Sequence, residues 1–159
     1  MKKIGEYTAR GTTTEVDTEA GEPARIPLFD GSFKTAYRIT AFYVWGTDWA
    51  GTTSPDCIGK LSKNDDGVTA AVNFMRADDD NQIAWATTSG DIDSGVRGGF
   101  SESIIDPDNL VVEDLFVYVR TSSSQNTDPV NYIVEMEKYE ITDWQGALAM
   151  ARDRAQGDL

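Results

Sequence analysis

The sequence predicts an all-β protein: a β-sandwich, jelly-roll-like, of about eight strands, with one C-terminal α-helix and an extended N-terminal arm. Three observations carry this expectation. Apolar residues recur with period two along most of the chain from Arg25 onward, the spacing that puts alternate side chains on one face of a strand. Clusters such as DG at 30–31, NDDG at 64–67 and SSSQNTDP at 122–129 separate these runs, and such residues favour turns. Helical spacing occurs once, near the end. Short strands divided by polar turns bury their apolar faces by packing sheet against sheet.

Taken in order, residues 1–24 read as a flexible N-terminal arm, because GTTTEVDTEAGEP is small, polar and acidic and keeps neither period. The sandwich is expected over 25–141. ARIPLF opens it, and Asp30-Gly31 between two apolar runs is a hairpin signal, since both residues tolerate positive φ. YRITAFYVW puts Tyr37, Ile39, Ala41, Tyr43 and Trp45 on one face, with Phe42 and Val44 on the other. CIGKLS follows, then VTAAVNFM with Val68, Ala70, Val72 and Phe74 on one side, then QIAWATT and FSESII. LVVEDLFVYVR is apolar on both faces over 110–119, the mark of a central strand covered on both sides. VNYIVEMEK alternates Val130, Tyr132, Val134 and Met136 with Asn131, Ile133, Glu135 and Glu137.

Residues 142–159 form the predicted helix and tail. Thr142 followed by Gln145 makes a capping box, and Asp143 complements the positive end of the helix dipole. Trp144, Ala147, Leu148 and Ala151 give a narrow apolar stripe, and Gly157 suits the stop.

Composition narrows the chemistry. The 159 residues make one domain, and 27 acidic against 14 basic side chains give a net charge of −13. So acidic a chain lacks the basic surface that displaces counterions from nucleic acid or draws a protein to anionic membranes, so neither partner is expected. MKKIGEYTAR has no apolar stretch after its lysines, and export by a signal peptide is not expected. With no histidine and one cysteine, histidine-dependent nucleophile systems, histidine-ligated zinc, cysteine clusters and an internal disulfide are ruled out. Cys57, between Asp56 and Ile58, reads as a small buried apolar side chain.

The candidate sites are weak. DIDSGVRGGFSE over 91–102 sets Asp91, Asp93 and Glu102 at positions 1, 3 and 12 of a calcium loop. Gly95 gives no side-chain oxygen at position 5, and Val96 resists the turn that position 6 requires. Asp78, Asp79 and Asp80 in RADDDNQ read as solvated loop acids. Glu135 and Glu137, two apart on one strand face, have the separation of a hydrolytic carboxylate pair, but nothing in the sequence perturbs them. No catalytic residue, metal or cofactor is therefore expected, and the chain reads as non-enzymatic.

RIPLFDGSFKTAYRIT, DNQIAWA, IIDPDNLVVEDLFVYVR and VNYIVEMEKYEITDWQGALAMARDRAQ together resemble small virion structural proteins of marine tailed phages. This resemblance implies a capsid component or a decoration or cement protein, located in the virion after assembly in the host cytoplasm. Its partners would be the major capsid protein and further copies of itself in a homo-oligomer. The interface candidates are Tyr7 and Arg10 in the arm, Glu113 and Asp114 in the two-sided strand, and Trp49 and Trp144. The alternative is a carbohydrate-binding or host-attachment module, with Trp49 as its exposed platform and with Trp45 and Trp85 expected in the core.

Overall fold

The computed structural model describes residues 1–14, 23–47, 56–65, 74–89, 100–121, 129–142, 145–149 and 151–152. Eight strands run in the order β1 (Lys2–Thr13), β2 (Ala24–Ile26), β3 (Thr35–Gly46), β4 (Cys57–Ser62), β5 (Gln82–Ser89), β6 (Phe100–Ile105), β7 (Leu115–Thr121) and β8 (Val130–Glu140). They form two antiparallel sheets, a smaller one ordered β1-β8-β3 and a larger one ordered β2-β7-β4-β5-β6. First strand beside last, second beside seventh and fourth beside fifth is the wrapping of a jelly roll. The all-β sandwich read from the sequence is the fold observed.

One pairing departs from the ideal wrapping. β6 bonds to β5 instead of lying against β3. The free side of β3 is met by the segment after β6, where Tyr37 and Val111 exchange backbone hydrogen bonds of 2.7 and 2.8 Å. Asn109, buried there, accepts from the Ile39 amide at 2.6 Å and donates to the Ile39 carbonyl at 3.3 Å. A side-chain amide thus mimics one residue of a neighbouring strand, and backbone groups that would be costly to bury unpaired are satisfied.

The core lies between the sheets. Val130, Val134 and Met136 of β8, with Ile39, Phe42 and Val44 of β3, face Leu61, Ala84, Val117 and Val119 of the larger sheet. Full burial of each large aliphatic side chain contributes about 1.5–3 kcal/mol. At Gly59 the sheets approach so closely that a Cβ would lie 2.7 Å from Val44 Cγ1.

Several elements differ from the sequence reading, each for a physical reason. Residues 2–13, expected as part of an arm, are the edge strand β1, held by antiparallel pairing with β8. Backbone pairing needs no apolar period, which is why the pattern was silent. The rest of the expected arm, 15–22, lies outside the described residues. In β3 a bulge between Ile39 and Ala41 reverses the alternation, so Tyr37 and Ile39 point inward with Phe42 and Val44. Tyr43 and Trp45 are left outside, each 43% exposed. Trp45 is therefore not a core residue.

The stretch 110–119 is likewise not one strand. Val111 bridges to β3 in the smaller sheet, the chain bends at Val112 and Glu113, and β7 starts at Leu115 in the larger sheet. Asp30-Gly31, with Gly31 at φ 84°, turns the chain between β2 and β3. These strands belong to different sheets, so the turn is a crossing and not a hairpin. Val68–Asn73 of VTAAVNFM lies outside the described residues, and Phe74 is buried in a bend.

The C-terminal helix occupies 145–149 and 151–152. Its capping box is reciprocal: Gln145 N donates to Thr142 Oγ1 at 3.3 Å and Thr142 N to Gln145 Oε1 at 3.1 Å. Ala147, Leu148 and Ala151 of the expected stripe are exposed and do not dock, while Trp144 lies outside the described residues. Gly146 and Ala149 make the contact instead. A Cβ on Gly146 would fall 2.2 Å from the Phe33 carbonyl oxygen, and Ala149 packs on Ala36, Val112 and Ile141. A backbone-to-backbone approach lets small residues bury where larger apolar ones cannot fit.

Candidate interaction surface

Cross-strand register fixes what lies on the outer face of the smaller sheet. Residues directly opposite one another share a face, so the rows are Glu6–Glu137–Arg38, Thr8–Glu135–Ala41, Arg10–Ile133–Tyr43 and Thr12–Asn131–Trp45. One end is charged and knitted. Lys3 donates to Glu137 at 2.6 Å and to Glu6 at 2.9 Å, Tyr139 donates its hydroxyl to Glu137, and the Arg38 guanidinium lies 5.6 Å over the Tyr139 ring. The Lys3 ammonium holds the Glu137 carboxyl below its usual range, helped by the Tyr139 hydroxyl. A carboxylate so committed is the opposite of a poised catalytic acid.

The other end is aromatic. Tyr43 and Trp45 stand side by side on β3, with Ile133 half-buried beside them. Polar groups surround the rings: Arg10 and Glu135 are exposed, and Thr12 donates to Asn131 at 2.9 Å. Among the interface candidates, this face takes Arg10. Tyr7 stands opposite Met136 and so belongs to the inward side; its ring meets Tyr37 edge-on at 6.3 Å while remaining 44% exposed.

Asp114 has a structural task instead. It accepts from Arg25 Nε at 2.7 Å and from the Leu28 and Phe29 amides at 2.9 and 3.1 Å, which ties the β2–β3 crossing to the start of β7. Burial works against its charge, yet those two amides and Arg25 keep its pKa below the usual carboxylate value. Glu113, half-buried, sits in the bend before it. Trp49 and Trp144 lie outside the described residues, as do 91–99 of the calcium-loop stretch; Glu102 is in strand β6. Asp79 accepts from the Asn81 amide and the Gln82 side chain, and Asp78 pairs with Arg76. Among the described residues no three acidic or cysteine side chains group as a metal ion requires. Cys57 is buried in the core.

The larger sheet carries a different feature, invisible in the sequence. Lys60 and Tyr118 are neighbours on its outward face, yet both are buried. Residues from the β4–β5 connection cover them. Lys60 Nζ donates to the Phe74 carbonyl at 2.9 Å and lies 4.4 Å from the centre of the Phe74 ring and 5.0 Å from that of Tyr118. Tyr118 donates to the Asn64 carbonyl at 3.1 Å. Desolvation lowers the Lys60 pKa from 10.5 to about 8, with the Asp79 charge opposing.

Beside this cover runs a cleft of about 410 Å³ lined by Trp85, Ile104, Asp106, Leu110, Ala149 and Arg152, among others. Trp85, expected in the core, is half-buried at this cleft and donates to Gln82 at 2.9 Å.

Sequence reasoning missed the Tyr43–Trp45 pair as a surface because a bulge leaves no trace in hydrophobic period. Compared with protein-family models, curated proteins and solved structures, the chain matches none.

Proposed function

We propose that the chain is a non-enzymatic structural subunit of a phage virion, a capsid component or a decoration or cement protein that works through subunit contacts. The observation that carries this reading is the outward aromatic face of the smaller sheet, Tyr43 and Trp45 at 43% exposure beside Arg10 and Glu135. Aromatic residues ringed by polar ones are the composition of protein interfaces. Jelly rolls are used widely as capsid subunits, and the resemblance of the core and helix segments to virion proteins points the same way. Its partners are then other virion proteins and copies of itself, and its place is the particle. Mass spectrometry of purified particles whose genome encodes the chain should find it as a stoichiometric component. Its absence from such particles overturns the reading.

A second reading rests on the same strand. Trp45 and Tyr43 present two rings two residues apart, with Asn131 and Thr12 as hydrogen-bonding groups alongside, the arrangement a sugar-stacking module uses. Glycan-array binding that disappears in Trp45→Ala would favour it over the virion reading.

A further inference from the structure

We propose that two copies of this chain join edge to edge through β1, antiparallel about a two-fold axis at Thr8. The result is one six-stranded sheet, β3-β8-β1 continued by the partner's β1-β8-β3. The inference rests on the assembly reading above and names the contact.

β1 is the edge strand of the smaller sheet and twelve residues long. Beyond the bulge between Lys3 and Gly5 it runs regularly from Gly5 to Thr13. A regular edge of that length presents a row of peptide groups that another strand can complete.

Register follows from geometry and charge. In an antiparallel pair about a two-fold axis, the axis must pass through a residue, because only then do the outward-pointing peptide groups of both strands meet. An axis at Glu6 sets Glu6 against itself and Lys2 against Arg10. At Arg10 it sets two guanidinium groups together. Axes at Tyr7 and Ala9 pair Glu6 with threonine. The axis at Thr8 places Glu6 opposite Arg10 of the second copy, and Arg10 opposite its Glu6. It also sets Gly5 against Gly11, Tyr7 against Ala9, and Lys3 against Thr13. Opposite charges directly across an antiparallel pair stabilise it and like charges oppose it. Both side chains are open to a second copy: Glu6 is 77% exposed even with Lys3 on one carboxylate oxygen, and Arg10 is exposed.

Two further features fit a second copy rather than an acidic or basic stranger. A chain of net charge −13 repels its own kind over most of its surface, whereas β1 carries Lys2, Lys3 and Arg10 against Glu6 alone. Edge pairing is the way for such copies to meet without stacking acid on acid. The two-fold axis stands normal to the sheet, so both Tyr43–Trp45 rows lie on the same side of the joined sheet, on its two outermost strands, with the rows of β8 and β1 between them. Tyr7, exposed at the rim of the core, gains cover from Ala9 across the axis.

Charge reversal tests the register. In sedimentation velocity over a concentration series, the wild type should dimerise, while Glu6→Arg and Arg10→Glu should each dissociate at concentrations at least tenfold above the wild-type midpoint. Mixing the two single variants should restore a 1:1 dimer, because every cross-strand pair is then opposite in sign. The double reversal E6R/R10E should restore self-association, which also shows that the substituted strand folds. Thr8→Cys should cross-link to itself on oxidation, since directly opposed residues have Cα atoms about 4.5–5.5 Å apart, within disulfide reach. Thr12→Cys, opposite Ile4 in this register, should not, and the native Cys57 is buried. A monomeric wild type, a mixture that stays monomeric, or equal cross-linking at positions 8 and 12 overturns the proposal. A wild type that associates but ignores both reversals overturns the edge pairing and leaves the assembly reading standing, because the particle composition tests that reading separately.

Discussion

The outward faces of the two sheets are built in opposite ways. On the larger sheet, Lys60 and Tyr118 occupy outward positions but are 0% and 1% exposed, roofed by Phe74 and the chain around Asn64. On the smaller sheet, Tyr43 and Trp45 hold equivalent positions and remain 43% exposed. Each face holds a tyrosine in such a position, Tyr118 on one and Tyr43 on the other. The difference is the cover: Asn64 and Phe74, from the two ends of the β4–β5 connection, lie over their own sheet and turn an outward row into a second buried layer. An outward aromatic therefore contributes to stability on one sheet and remains available to a partner on the other.

The largest expected effect tests that contrast directly. Tyr118→Ala should lower unfolding free energy in urea by about 3–5 kcal/mol, the range for truncating a large buried aromatic, and it also strips the Asn64 carbonyl of its donor. A cost below about 1 kcal/mol would show that the roof is not packed onto the sheet.

The buried ammonium gives a pH signature of intermediate size. Lys60 titrates near 8 in the fold against 10.5 when unfolded, so its charged form is disfavoured by folding. Below pH 8 the penalty is fully present. Between about 8 and 10.5 the unfolded chain binds more protons and stability rises with pH, by up to about 3 kcal/mol at roughly 1.4 kcal/mol per pKa unit. Lys60→Met removes the titrating group. Its stability relative to the wild type should therefore be greatest below pH 8 and decline as pH rises towards 10.5. A difference independent of pH would mean that the ammonium is solvated.

How much of this was legible in the sequence follows from which forces leave a periodic trace. β8 was read residue by residue, because Val130, Tyr132, Val134 and Met136 bury one face and period two records that directly. The capping box at Thr142 and Gln145 was legible because it is local chemistry at fixed spacing. About eight strands were expected and eight are present among the described residues, yet β1 was not among those expected. Its stability comes from hydrogen bonds to β8, which any sequence can make. The bulge in β3 was hidden as well, and with it the exposure of Trp45, since one inserted residue changes the face without changing the composition. Asp114 was singled out only as an interface candidate, because its partners Arg25, Leu28 and Phe29 lie more than 80 residues away. Long-range polar pairing has no spacing to read. The roof over Lys60 fails for the same reason.

The smallest expected stability effect is on the open face, and there the absence of a cost is the informative result. Trp45→Ala and Tyr43→Ala should each change unfolding free energy by no more than about 0.5 kcal/mol, as for surface substitutions away from buried features. The same changes should weaken binding of whatever partner the face accepts by at least tenfold, because exposed aromatic residues at the centre of an interface supply much of its affinity. Stability and affinity thus separate on this sheet, whereas Tyr118→Ala couples them through the fold. Collisional quenching of tryptophan fluorescence checks the premise: Trp45→Ala should remove a readily quenched component. If Trp45→Ala instead costs about 2 kcal/mol or more, the smaller sheet has a cover of its own, and the contrast between the two faces collapses.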